Sequence, residues 1–328
     1  MNPMIEHTGT LPLYAGFSLL VIVFLILDFV LLKTKGQHKI QVGEALTWTI
    51  IWFLSALIFA GWLWWHLDGL HGRAVANTKT VEYVTGYLIE KALAMENVFV
   101  WVTIFTYFAV PPEFQKRVLL WGVVGAILMR AVLIYLGVVL IEQFDWIFYL
   151  FGVFLILTGV KMIFFAGKKP DLGKNPLLRW ARRHLRLTDT YEGDKFIVLK
   201  QGVMFATPLF LVLVLVEVTD LIFAVDSIPA IFAVTTDPFI VFTSNIFAIL
   251  GLRAMYFLLA DMADRFHFLN YGLALIVTFI GVKMLIMDLY KIPIPWMLGT
   301  VFLILVASVT ASLLARRHAG NRMDDFRG

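Results

Sequence analysis

Nine apolar segments, each long enough to cross a lipid bilayer as a helix, constrain this chain more than any other feature. A helix rises about 1.5 Å per residue, so about 20 residues span the hydrocarbon layer. Hydrophobic residues make up 60% of the chain and charged residues 15%, which leaves too few polar side chains to cover a soluble protein. We therefore predict an all-α, polytopic transmembrane helix bundle of about nine spans. The segments cover residues 11–32, 43–66, 82–108, 115–140, 145–166, 202–232, 238–260, 267–289 and 294–315.

The loops between the segments alternate in charge. Basic residues dominate residues 168–200 and follow the last segment as Arg316 and Arg317, whereas the opposite loops carry acids such as Glu142 and Asp237. Cytoplasmic loops are enriched in Lys and Arg, so the N-terminus is expected outside and the C-terminus in the cytoplasm. The same rule accounts for the basic pI of about 9.2, and we expect no nucleic-acid partner.

A basic amphipathic stretch lies in the loop between the fifth and sixth segments. Leucine, tryptophan and alanine alternate with arginine and histidine over residues 175–187, and Asn175-Pro176 is a typical helix start. We predict a surface helix that binds anionic lipid at the cytoplasmic face. The alternative is a solvated basic loop that only sets the topology.

Several kinds of chemistry are excluded by the residues that the chain lacks. It has no cysteine, so disulfides, thiolate metal sites and cysteine nucleophiles are excluded. It also lacks a nucleotide-binding glycine loop, a nucleophile elbow and a pair of histidines at zinc spacing. We therefore expect a protein that is not an enzyme and that holds no permanent cofactor.

Two stretches of the chain carry the same features in the same order. Each has two acids separated by five intervening residues and followed by a small polar residue, then a lone arginine one segment later, then Gly-Val-Lys-Met. The matching residues are Glu90, Glu96, Asn97, Arg130 and 159–162 in the first copy, and Asp220, Asp226, Ser227, Arg253 and 281–284 in the second.

Each copy contains three segments, and an odd number turns the second copy upside down relative to the first. This arrangement is typical of transporters built from inverted repeats, whose sites lie where the repeats meet. We predict two N-terminal helices (1–81), a first repeat (82–167), a basic loop (168–201), an inverted second repeat (202–290) and a C-terminal helix with its cytoplasmic tail (291–328).

Six acids lie within the apolar segments, away from the segment ends. A charged side chain at the bilayer centre costs about 2.5–3.5 kcal/mol, so such acids need protons, arginines or metal cations. Arg130 and Arg253 can neutralise two of them, within their own repeat or across the interface. The alternative to a cation site is a purely structural network with these arginines. The acids are Asp28, Glu90, Glu96, Glu217, Asp220 and Asp226.

We predict one divalent cation site in which Asn97 and Ser227 are neutral neighbours of the acidic ligands. Oxygen ligands favour Mg²⁺, Ca²⁺ and Mn²⁺. Met95 could add a sulfur contact that favours Mn²⁺, or it could simply fill apolar space. Pro229 should kink or unwind its helix and thereby turn a nearby acid inward. The predicted ligands are Glu90, Glu96, Asp220 and Asp226, with Glu217, Arg130, Arg253 and Asp28 as supporting polar residues.

The run Val-Glu217-Val-Thr-Asp220-Leu-Ile-Phe-Ala-Val-Asp226-Ser-Ile-Pro resembles the TerC family of membrane proteins, and residues 236–257 resemble its Alx-like branch. The similarity covers nearly the whole chain. It implies an inner-membrane exporter of Mn²⁺, and it implies that the four predicted ligands are the functional acids. The family usually has aspartate where this chain has Glu96. The resemblance also allows a different role, as an accessory factor for protein insertion, metal loading of secreted enzymes or tellurium resistance.

Overall fold

The computed structural model describes residues 7–34, 42–144, 146–165, 176–260 and 268–325. These residues form eleven helices and one two-stranded hairpin, so the predicted all-α bundle is confirmed except for the hairpin. The helices are α1 (Leu11–Thr34), α2 (Val42–His71), α3 (Arg73–Tyr107), α4 (Pro112–Gln143), α5 (Ile147–Phe165), α6 (Pro176–His184), α7 (Pro208–Phe232), α8 (Pro238–Leu250), α9 (Leu252–Ala260), α10 (Leu269–Leu285) and α11 (Ile294–Asp325), and the strands are β1 (Ile197–Lys200) and β2 (Val203–Ala206).

Each of the nine predicted segments coincides with a helix or, for residues 238–260, with the pair α8 and α9. Six helices in the described part of the chain are long and apolar enough to cross a membrane, namely α1, α2, α4, α5, α7 and α11. The bent pair α8–α9 would be a seventh span. α10 is shorter, with 17 residues, and α3 carries several charged residues along its 35. The structure is thus that of a multi-pass membrane protein with six or seven spans by length and composition.

The sixth segment begins later than the sequence pattern predicted. Residues 203–206 form β2, which pairs antiparallel with β1 so that Ile197 lies opposite Ala206. The helix itself begins at Pro208, after the side chain of Thr207 accepts a hydrogen bond from the backbone N–H of Phe210. A capping hydroxyl followed by proline is a strong helix start, and it outweighs the apolar character of the residues before it.

The predicted unwinding of the helix near Asp226 does not occur. α7 remains helical from Pro208 to Phe232, through Asp226 and Pro229, so the chain does not unwind there. Proline is tolerated inside membrane helices because neighbouring groups compensate for the lost hydrogen bond. The break occurs instead in the predicted segment 238–260, where Gly251 separates α8 from α9 at a bend of 40°.

α3 is the central helix of the bundle and packs against α2, α7, α8, α9, α10 and α11. α3 packs most closely on α2 and α8. Among the other helices, α4 packs on α7 and α5 packs extensively on α10. α5 and α10 approach so closely that a Cβ atom on Gly281 would lie 2.7 Å from the carbonyl oxygen of Gly152. These pairings bring α3, α4, α7 and α8 together around one buried region.

The basic amphipathic stretch forms α6, as predicted, and its apolar side packs on the protein itself. Leu178 and Ala181 are buried against Leu211 of α7, while Trp180 is exposed. Asn175, the predicted capping residue, lies outside the described residues. Contact of the exposed face with anionic lipid stays a prediction.

Candidate functional site

A buried ion cluster joins α3, α4 and α7. Arg130 of α4 donates through Nη1 to a carboxylate oxygen of Glu90, and its Nη2 lies 3.7 Å from Oδ1 of Asp220. These side chains are at most 1% exposed. Arg130 therefore neutralises an acid of its own predicted repeat and approaches one of the other repeat, as the sequence predicted.

Some buried polar atoms of the same cluster have no hydrogen-bond partner among the described residues. Nδ2 of Asn97 donates to Oδ1 of Asp220 over 2.7 Å. Three buried oxygens nevertheless have no hydrogen-bond donor among the described residues: Oε2 of Glu90, Oδ1 of Asn97 and Oδ2 of Asp220. Buried polar atoms are nearly always paired, so unpaired acceptor oxygens in one cluster mark a position suited to a cation or a water molecule.

A small cavity of about 20 Å³ lies beside the cluster and is lined by Glu96, Asp226, Thr158 and Met162, among others. This volume holds about one water molecule or ion. The hydroxyl of Thr158 lies 3.4 Å from Oδ1 of Asp226, and Lys161 is close enough to act electrostatically on Glu96 and Asp226. Both acids are partly buried.

The charges of the site do not cancel when all its groups are ionised. Four carboxylates, on Glu90, Glu96, Asp220 and Asp226, face one buried arginine and the nearby Lys161. Two negative charges remain, which is the charge that a divalent cation would neutralise. An excess of buried acid over base is costly in a membrane unless a proton or metal ion joins it.

The structure does not bring the four predicted ligands to a single point. Within the described ranges, no three histidine, aspartate or glutamate side chains converge in the manner of a metal site. Arg130 binds Glu90 and lies beside Asp220. The cavity is lined by Glu90, Glu96 and Asp226, and Asp220 lies outside this lining. The neutral neighbour Ser227 is also buried here, with Oγ 3.3 Å from Nη1 of Arg130.

The second lone arginine lies elsewhere, and this corrects the prediction that it neutralises an acid of a repeat. Arg253 of α9 forms a hydrogen-bonded ion pair with Asp28 of α1, which belongs to neither repeat. α1 packs against α8, and α9 follows α8 directly, so α1 places Asp28 beside the arginine of α9.

Sequence reasoning did not assign three further residues to the site. Asn245 of α8, fully buried, accepts a hydrogen bond from Arg130 at 3.1 Å. Thr158 and Met162 line the cavity from α5, while Met95 packs into apolar clusters. A lone asparagine and a lone threonine in apolar segments were the available signals. The Gly-Val-Lys-Met sequence shared by the two repeats covers residues 159–162, so it begins directly after Thr158 and ends at Met162.

A second polar network lies just beyond the C-terminal end of α7, which is Phe232. Nζ of Lys79 lies 3.1 Å from Glu82 and 3.4 Å from Asp237, and Lys283 donates to the carbonyl oxygen of Ala233 over 2.6 Å. Lys79, Glu82 and Lys283 line a cavity of about 1110 Å³. This large cavity lies near the ends of α7 and α10 that are predicted to face outside.

Comparisons with known proteins agree with these features. A family model described as "Integral membrane protein TerC family" matches residues 75–320. The chain is 55% identical over 298 residues to Alx of Escherichia coli K12, which is described as a candidate membrane-bound redox modulator. The aligned residues cover 91% of this chain and 93% of that protein. It is 44% identical over 311 residues to an uncharacterized membrane protein of Myxococcus xanthus, which covers 95% of each chain. No solved structure matches the chain.

Proposed function

The chain belongs to the TerC family of integral membrane proteins, and we propose that it exports divalent metal cations, with Mn²⁺ as the preferred ion, across the inner membrane. One observation carries this proposal. Three unpaired buried oxygens, on Glu90, Asn97 and Asp220, lie beside a cavity that two further carboxylates line. A cation would satisfy the oxygens and neutralise the excess negative charge at once.

We propose that Glu96 and Asp226 are the first ligands of the ion. Thr158 and Met162 line the same cavity, and carboxylate oxygens with one thioether suit Mn²⁺ better than Mg²⁺ or Ca²⁺. The thioether that supports Mn²⁺ is thus that of Met162, in place of Met95. Glu96, which stands where the family usually has aspartate, reaches one methylene further into the cavity.

Glu90 and Asp220 complete the site in a second step of this proposal. Arg130 already donates hydrogen bonds to Asn245 and Ser227. Its guanidinium can therefore move away from the acids and keep these two partners. When it does so, the incoming cation replaces its guanidinium beside the two acids. Arg130 then acts as an internal cation beside Glu90 and Asp220 while the site is empty.

We also propose nine spans, with α3–α5 and α7–α10 as inverted repeats and with the N-terminus outside. The packing supports this: exchanging the two units maps the α3–α8 contact onto the α7–α4 contact, and α5 packs against its equivalent, α10. In this arrangement the large cavity beside Lys79, Glu82 and Lys283 is the outer exit.

Mn²⁺ flux in sealed proteoliposomes tests the proposal. We expect the wild-type protein to carry Mn²⁺, and Asp226→Asn and Glu96→Gln each to reduce the flux at least tenfold. Glu142→Gln serves as the matched control because this carboxylate is exposed and far along α4 from Arg130. No flux in the wild type would instead favour the accessory role in protein insertion or metal loading.

The description of the Alx relatives suggests a redox role as a second possibility for this chain. The absence of cysteine means that such a role could not use thiol–disulfide exchange by the chain's own residues. We therefore place cation transport first.

A further inference from the structure

An apolar layer lies between the two cavities of the bundle. The small cavity is lined by Glu96 and Asp226, among others, and the large cavity by Glu82 and Lys283, among others. Four helices, α3, α5, α7 and α10, contribute lining residues to both cavities. A direct path from one cavity to the other therefore runs between these four helices.

Along each of the four helices, a fully buried aliphatic side chain lies between the residues that line the two cavities. On α7, for example, Ser227 lines the small cavity and Phe232 lines the large one, and the stretch between them is about 8 Å long. The same order on all four helices places these side chains in one layer across the path, and they pack in one apolar cluster. The residues of this layer are Ile89 of α3, Leu155 of α5, Ala230 of α7 and Ile280 of α10, each 0% exposed.

Such a layer stops a cation. A divalent ion could pass between packed aliphatic side chains only by giving up its water, and these side chains offer it no oxygen in exchange. Apolar constrictions close channels to ions in this way, by excluding water. The small cavity is thus closed towards the large one in this structure.

Polar contacts hold the outer side of the layer together. Lys283, one turn after Ile280 on α10, donates from Nζ to the carbonyl oxygen of Ala233 over 2.6 Å. Ala233 is the C-cap of α7, where a cation beside the last carbonyl groups is favourable. Thr235, two residues further on, donates to the carboxylate of Glu82 on α3. Both α3 and α10 are therefore bound to the chain that follows α7.

The layer divides into two bodies. α5 and α10 are in backbone contact, since a Cβ atom on Gly281 would lie 2.7 Å from the carbonyl oxygen of Gly152, so their two layer residues move together. The other two belong to α3 and α7, which the hydrogen bond from Asn97 to Asp220 joins. The bond from Lys283 to the end of α7 crosses from one body to the other.

We propose that the apolar layer is the outer gate of the cation pathway and that Lys283 is the positioning residue that holds this gate closed. This inference rests on the proposed function, which it extends by assigning the route by which the cation leaves. The gate opens when Lys283 releases Ala233 and the α5–α10 pair shifts against α3 and α7. Packed helices commonly move in this way, by small sliding displacements.

The reactivity of single cysteines tests the gate, because the chain has no cysteine of its own. Ile280→Cys is treated in intact cells with a membrane-impermeant thiol reagent. We expect slow labelling without Mn²⁺ and several-fold faster labelling in cells that are exporting Mn²⁺. Ile240→Cys is the matched control, because Ile240 is equally buried, belongs to another apolar cluster and lies near the start of α8. It should stay unreactive in both conditions. Labelling of Ile280→Cys that Mn²⁺ does not change would overturn the inference.

A second pair of variants tests Lys283. Adding Lys283→Met to Ile280→Cys removes the bond to Ala233 and should raise the labelling rate several-fold even without Mn²⁺. Lys283→Arg, which can still donate to this carbonyl group, should restore the slow rate. Lys291→Met is the control, since Lys291 is an exposed lysine that lines the same cavity. Equal rates with Lys283→Met and Lys291→Met would overturn the role of Lys283.

These measurements can fail separately from the proposed function. Absence of Mn²⁺ flux through the wild-type protein in proteoliposomes contradicts the proposed function, and the cation pathway with it. Mn²⁺ flux with an unreactive Ile280→Cys contradicts only the gate. If the Ile280→Cys protein does not fold, Leu155→Cys on α5 reports on the same layer, with the same expected rates.

Discussion

At the scale of single residues, the site is an assembly of acids that have different partners. Glu90 has Arg130, and Asp220 has Asn97 and the same arginine nearby. Asp226 has a long contact to Thr158, with Lys161 in its vicinity. These differences assign different roles to side chains that look equivalent in the sequence. The cavity with room for an ion is lined by Glu96 and Asp226 and also by Glu90, the partner of Arg130.

The first prediction concerns Asp226. Asp226→Asn keeps the size and shape of the side chain and removes its charge, so Mn²⁺ should bind too weakly for export. Cells that rely on this variant should lose manganese tolerance although the protein is present in the membrane at normal amounts. Full tolerance at normal expression would show that the site lies elsewhere.

The second prediction concerns Arg130. Arg130→Met leaves two buried carboxylates without their cation, and breaking a buried ion pair in this way costs about 3–5 kcal/mol. The thermal unfolding midpoint in detergent should fall clearly. Adding Glu90→Gln should recover part of the loss, because one of the uncompensated charges is removed. A single variant as stable as the wild type would argue against an ionised cluster.

At the scale of the elements, glycine decides how closely α5 and α10 pack. Gly152 and Gly281 place the two backbones in contact, and a Cβ on Gly281 would also come within 2.9 Å of the backbone nitrogen of Ile156. In a membrane, small residues at helix interfaces take the place of the hydrophobic effect as the means of association. This interface holds Thr158 and Met162 at the cavity.

The third prediction follows from that contact. Gly281→Ala should destabilise the protein by about 1–3 kcal/mol, because the new methyl group meets backbone atoms that cannot move alone. Gly299→Ala in α11 is the matched control, since nothing lies within 4 Å of a Cβ there. That variant should leave stability unchanged or raise it slightly. Equal thermal unfolding midpoints for the two variants would contradict this account of the interface.

At the scale of the whole molecule, the two sequence repeats occupy different surroundings. Arg130 lies at the centre of the bundle, whereas Arg253 pairs with Asp28 of α1 near the break between α8 and α9. The flanking helices therefore make the two halves chemically unequal. A transporter with one site needs such an inequality, because two identical halves would place two arginines at the same acids.

The fourth prediction concerns topology. The chain has no cysteine, so single cysteines report their side of the membrane without background. Leu289→Cys, after α10, should react with an impermeant maleimide in intact cells, whereas Asp189→Cys, after α6, should react only after the membrane is opened. Both positions are exposed. Reaction from the same side would contradict the proposed nine-span arrangement.

Much of the fold follows from local sequence alone. Long apolar runs form helices in lipid because a helix satisfies its own backbone hydrogen bonds, and each of the nine segments lies mainly on a helix or on the pair α8 and α9. The seventh segment, predicted to begin at Pro238, does begin there as α8. The strands β1 and β2 were not predicted, because four-residue strands beside an apolar segment resemble an extension of that segment.

The sequence by itself determined which residues are candidates for the site, because an acid in an apolar run is expensive wherever it lies. Only the tertiary structure decided which acids share an arginine and which face a cavity. Arg130 and Arg253 occupy equivalent places in the repeat, and nothing local distinguishes them. The difference comes from which helix packs beside each one, since the low polarity of the interior makes every buried charge take the nearest counter-charge that packing provides.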